Sequence, residues 1–97
     1  MAYAYTMENI AVAGSVKTLT VGKLTQTGKR PAGEVLITVE TAPIRYTLDG
    51  TTPVGGSVGQ YADTGTTIKI TGIGNLQQLQ MIRDGGSSAV VDVTYFR

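Results

Sequence analysis

Apolar and polar positions alternate most cleanly in the middle and at the end of the chain. In Glu34-Val35-Leu36-Ile37-Thr38-Val39-Glu40, three apolar residues (Val35, Ile37, Val39) fall on one face. The other face carries Glu34, Leu36, Thr38 and Glu40. A period of two with one largely polar face predicts a strand that keeps one side toward water. The same period predicts a strand over 44–48, with Ile44, Tyr46 and Leu48 inward and Arg45 and Thr47 outward. It predicts another over 66–71 with Ile68 and Ile70 inward, and a last one over 89–96 in which Val91, Val93 and Tyr95 share a face. The first third is less regular. Val16 to Val21 alternates imperfectly and reads as an edge or half-buried strand.

Turn chemistry separates these runs. Gln26 to Gly33 holds two glycines, a proline and the adjacent cations Lys29 and Arg30, and predicts a loop. Pro43 interrupts the ladder after Glu40, since proline cannot donate to it. Asp49-Gly50-Thr51-Thr52-Pro53 predicts a tight turn, with Asp49 bonding its own downstream backbone and Gly50 supplying a positive φ. Residues 54–65, with Gly55, Gly56, Gly59 and Gly65, predict a long irregular surface connection. A short turn over 73–77 and a strand over 78–83 follow, and Asp84-Gly85-Gly86-Ser87-Ser88 predicts a hairpin into the last strand. Six to seven short strands at this spacing, without βαβ alternation, indicate an all-β fold: a small antiparallel β-sandwich or a bent barrel. The whole of 1–97 forms a single β domain. Residues 1–9 show no strong strand or helix pattern and are expected to form an N-terminal docking arm outside the compact part.

Composition supports this picture. Threonine, valine and isoleucine make up a third of the chain, and glycine contributes 13 residues. The net charge of +1 gives no bulk attraction to nucleic acid or membrane, and neither is expected as a partner. No apolar run reaches the length of a membrane-spanning helix. The first eight residues lack the basic n-region of a signal peptide, so the expected place is a cytoplasm or a particle assembled there.

Candidate chemistry is sparse. Histidine and cysteine are both absent, which removes the commonest general base, the thiol nucleophile and the usual zinc ligands. The serines and threonines therefore lack a triad partner. The acids Glu8, Glu34, Glu40, Asp49, Asp63, Asp84 and Asp92 lie mostly at turns or on polar strand faces. A carboxylate pair for glycoside chemistry needs two acids converging on a cleft, as Glu40 and Asp49 would if the fold brought them together. Gly55-Gly56-Ser57-Val58-Gly59 and Gly72-Ile73-Gly74 lack the strand, helix and lysine of a phosphate-binding loop. Asp49-Gly50-Thr51-Thr52 lacks the alternating oxygens of a calcium loop. No catalytic residue, metal ligand or cofactor site is expected. The candidate partner contacts are Tyr3, Tyr5 and Met7 on the arm, because tyrosine brings large area to an interface at low entropic cost, together with Lys29 and Arg30. Removing residues 1–8 is expected to spare the fold.

From residue 34 onward the chain resembles a family. Ile44-Arg45-Tyr46-Thr47-Leu48-Asp49-Gly50-Thr51-Thr52-Pro53, the Thr-Ile strand, the Ile82-Arg83 strand and the tail Val93-Thr94-Tyr95-Phe96-Arg97 resemble small tailed-bacteriophage proteins of this length. The string Tyr46-Thr47-Leu48-Asp49-Gly50-Thr51-Thr52-Pro53 also resembles the immunoglobulin-like C-terminal module of chitobiase-like glycosidases. The phage resemblance implies a non-enzymatic virion structural protein. Within that class it implies first a capsid decoration (cement) protein on the major capsid protein lattice, homo-oligomeric and often trimeric. A head–tail connector or tail component comes second. From another class comes a carbohydrate-binding module used in adsorption, which the absence of tryptophan disfavours.

Overall fold

Val35, Ile37 and Val39, and likewise Val91, Val93 and Tyr95, are completely buried in a computed structural model that describes residues 3–97. The two cleanest alternating runs of the sequence are thus adjacent central strands. Their neighbours are set by chain order as follows. Strand β1 is Ala4–Val12, helix α1 is Val21–Leu24, and β2 is Glu34–Glu40. Then come β3 (Ile44–Thr47), β4 (Gln60–Ala62), β5 (Thr67–Thr71), α2 (Ile73–Gln78), β6 (Gln80–Arg83) and β7 (Ala89–Phe96).

These strands make two antiparallel sheets, a four-stranded one in the order β1-β7-β2-β5 and a three-stranded one in the order β4-β3-β6. The fold is a small all-β sandwich. Its core joins Val12, Val35, Ile37, Val39, Ile70, Val91, Val93 and Tyr95 of the larger sheet to Ile44, Ala62 and Met81 of the smaller. Leu19, Leu24, Leu76 and Leu79 close the open sides. Burying a side chain of this size contributes roughly 1.5–3 kcal/mol, so this layer carries most of the stability. The pairs β2–β5 and β3–β6 match in chain order the B–E and C–F pairs of an immunoglobulin sandwich. The last strand differs, for β7 lies between β1 and β2 and not beside β6.

That placement corrects several sequence expectations. Residues 4–9 are no arm: they form most of β1, which is paired along its length with β7 from Ala4↔Phe96 to Val12↔Ala89. The pairing extends outward through reciprocal bonds between Tyr3 and Arg97 at 3.0 and 3.1 Å. Met1 and Ala2 lie outside the described residues. The Asp84–Ser88 turn does not close a hairpin, because β6 and β7 belong to different sheets. Residues 16–21 form no extended strand. Lys17 makes a single bridge to Met81, and the chain then bends so that Leu19, just before α1, and Leu24, its last residue, both enter the core. The connection over 54–65 contains β4, pinned to β3 through Ile44↔Ala62. The short turn expected over 73–77 is a helix, α2, running on to Gln78, so the strand expected over 78–83 begins only at Gln80 as β6.

Candidate functional site

The Asp49 turn forms as its residues dictate. The Asp49 carboxylate accepts the backbone N–H of Thr51 at 3.0 Å, and Gly50 sits at φ +88°. Hydrogen bonding from the Thr51 side chain first, and then from its backbone N–H, holds the Asp49 carboxyl below its ordinary range. Pro53 is fully buried and anchors the far side of the turn. The turn borders a cleft of about 300 Å³ whose walls include Tyr46, Leu48, Thr51, Val58 and Gln60.

Above this region the 54–59 loop is tied to the three-stranded sheet by Asp84. Its Oδ1 accepts from Arg45 Nε at 2.7 Å and from the Gly56 N–H at 3.1 Å. Arg45 also donates to the Gly59 carbonyl at 3.2 Å, and its guanidinium lies 5.3 Å from the centre of the Tyr61 ring. Gly55 passes so close to β6 that a Cβ there would sit 2.7 Å from the Arg83 carbonyl oxygen. This cluster is a structural clasp. Glu40 does not converge with Asp49. It lies on the four-stranded sheet beside Asp92, and the hydrogen bond and negative charge of Asp92, then partial desolvation, raise its carboxyl above the ordinary range.

The more extensive surface is the outer face of the four-stranded sheet. Registers place Met7 opposite Thr94 and Thr94 opposite Leu36, which continues to Lys69. Met7 is 52% exposed and Leu36 37%. The next row is Ala4, Phe96 and Glu34, and on the other side run Asn9, Asp92, Thr38 and Thr67. The face is therefore apolar near Met7, Leu36 and Phe96 and acidic toward Asp92 and Glu40.

Of the expected partner contacts, the structure leaves Met7 on this face and Tyr3 exposed at its rim. Lys29 and Arg30 are exposed in the adjoining loop, which Arg97 reaches through a hydrogen bond to Gln26. Tyr5 is committed internally. Its hydroxyl donates to the Lys23 carbonyl, and the Arg97 guanidinium stacks 3.5 Å above its ring. Sequence reading placed Leu36 on the solvent-facing side of its strand but singled out neither Leu36 nor Phe96 as a contact group. Leu36 had a signal, being an apolar residue on the polar face of an alternating strand.

Among the described residues no helix is long and apolar enough to cross a membrane, and no group of three or more metal-ligating side chains gathers. No protein family model, curated protein or solved structure matches the chain.

Proposed function

We propose that this chain is a non-enzymatic structural protein of a tailed-bacteriophage virion: a capsid decoration protein that docks on the lattice of the major capsid protein. The observation that carries the reading is the outer face of the four-stranded sheet, where exposed Met7 and Leu36 flank half-buried Thr94 in one row across three strands. A broad sheet face with an apolar centre and a polar surround suits a flat protein surface better than a small molecule. The resemblance of residues 34–97 to phage proteins supplies the setting.

The test is immunogold labelling of intact virions with an antibody to this chain, followed by binding of purified protein to capsids. Label on heads is the expected result; label confined to the neck or tail selects the connector reading instead. Met7→Lys and Leu36→Lys are each expected to weaken capsid binding about tenfold or more, with little loss of fold. Unaltered binding by both variants would remove this face from the reading.

A second reading draws on the cleft beside Asp49, since it borders the motif that resembles the chitobiase-like module. Tyr46, Asp49 and Gln60 offer a ring edge and polar groups suited to a saccharide. Glycan-array binding that is abolished by Gln60→Ala would select it.

A further inference from the structure

Among the described residues every sheet edge is short, covered or carries an outward-facing cation, with one exception. The edge strand β4 is three residues long. The outer edge of β6 is taken by Lys17, through a reciprocal pair of 2.8 Å bonds with Met81, and by Ala13, which accepts the Arg83 N–H at 3.1 Å. The remaining edge strands both belong to the larger sheet. On the β5 side, the main-chain groups of Val39 in β2 face Gly65 and Thr66, so alternation sends Val35 and Ile37 toward Ile70 and Ile68. That leaves Lys69, flanked by threonines, at the outward positions of a five-residue strand, and a lysine there discourages further pairing.

β1 is different. The Tyr3–Arg97 exchange shows that odd-numbered residues of β7 face β1, so Thr6, Glu8, Ile10 and Val12 spend their main-chain bonds on β7. Tyr5 is skipped by the register shift between Ala4 and Thr6. The N–H and C=O groups of Met7, Asn9 and Ala11 therefore point away from the sheet, and among the described residues they have no backbone partner. None of these three side chains is charged, and β1 contains no proline and no cation over its nine residues.

We infer that β1 is a homotypic pairing edge. A second copy of this chain adds its own β1 antiparallel across a two-fold axis, joining two four-stranded sheets into one of eight strands. The occupant follows from the edge itself. A two-fold axis at Asn9 sets Asn9 against Asn9 and Met7 against Ala11, using all the free main-chain groups. It also sets Glu8 opposite Ile10, whereas an axis at Glu8 would oppose two carboxylates. At a net charge of +1 two copies do not repel. An isologous edge closes as a dimer, which separates this proposal from the trimer that the family resemblance implies. It also stands independently of the virion reading.

Sedimentation equilibrium on the full chain tests it, with two variants. Ala11→Pro removes an N–H that β7 does not use, and Asn9→Lys places two cations at the axis. The expected result is a dimer whose dissociation constant rises about tenfold or more in each variant, while circular dichroism stays that of the parent. Amide exchange of the unaltered chain gives a second readout: Met7, Asn9 and Ala11 are expected to be protected at high concentration and to lose that protection on dilution. A monomer at all concentrations overturns the proposal and leaves the edge to a strand from another protein. A trimer, or a dimer unaffected by either variant with dilution-independent exchange, overturns it as well.

Discussion

The hydroxyl of Tyr95 donates to the carboxylate of Glu8, 87 positions away in the chain. The other Glu8 oxygen accepts from the Thr20 hydroxyl at 2.7 Å. An acid on the inward side of the edge strand is thereby satisfied by a hydrogen bond between the first and last strands of the fold. Tyr95 itself is fully buried, and burial first, then the Glu8 bond, push its phenol well above the ordinary value. Tyr95→Phe keeps the ring and strands Glu8 with one donor fewer, so a loss of about 1–3 kcal/mol is expected in urea unfolding at neutral pH. The sign with pH follows from the raised phenol. Above about pH 10 the unfolded chain releases the Tyr95 proton and the folded chain keeps it. The parent loses stability there and the variant lacks that component, so their difference narrows. A gap that stays constant from pH 7 to about pH 11 would contradict the assignment.

At the β2–β3 crossing, Thr41 adopts φ +78° while Ala42 N–H bonds the Glu40 carbonyl at 2.9 Å. This is a three-residue turn with a β-branched residue at its strained centre. Thr41→Gly is expected to raise stability by about 1 kcal/mol, measured by thermal or denaturant unfolding. A decrease would show that the threonine side chain contributes more than the strain costs.

Gly50 has only the Gln78 side chain near the position of a Cβ, at 3.6 Å. Gly50→Val therefore tests backbone conformation without a clash, and a loss of about 1–3 kcal/mol is expected. Asp49→Ala removes the acceptor of the turn. Because the Asp49 carboxyl is lowered in the fold, its contribution is present above the ordinary carboxylate range and fades as pH falls through its lowered value. The melting temperatures of parent and Asp49→Ala should draw together in acid.

Glu40 runs the opposite way. Asp92 raises its carboxyl in the folded state, so the folded chain holds this proton more tightly than the unfolded one. Stability falls as pH rises through that window and is recovered in acid. Glu40→Gln is expected to raise the melting temperature slightly at pH 7, less so at high salt, and to make no difference below about pH 4.

Deleting residues 1–8 removes Glu8 and half of the partner that covers β7. The truncated chain is expected to lose cooperative unfolding, read by calorimetry. Retention of a sharp transition at the parent temperature would mean that β7 needs no β1.

Strands β2 and β7 were legible because a sheet buried on one side imposes a period of two, and Val35, Ile37, Val39, Val91, Val93 and Tyr95 obey it. The Asp49 turn was legible because its bonds are local. β1 was not, since its pattern is inverted: Met7 faces solvent and Glu8 faces in, a choice that makes sense only once Tyr95 and Thr20 are in place. The Asp84–Ser88 turn was recognised, but turn residues do not specify which sheet receives the next strand. The outer face escaped reading for a related reason. Met7, Thr94 and Leu36 are neighbours through a strand order of first, last and second, which no local pattern encodes.

That strand order also fixes when the molecule can fold. Among the described residues β7 is the only strand that joins β1 to the rest of its sheet, and it follows all the other strands in chain order. Until its eight residues emerge, a nascent chain holds two sheet fragments with no common strand: β1 alone, and β2 with β5. Folding is then committed in one late step of high contact order, which predicts a slow, single-phase refolding reaction. Throughout synthesis the first strand waits with both edges open.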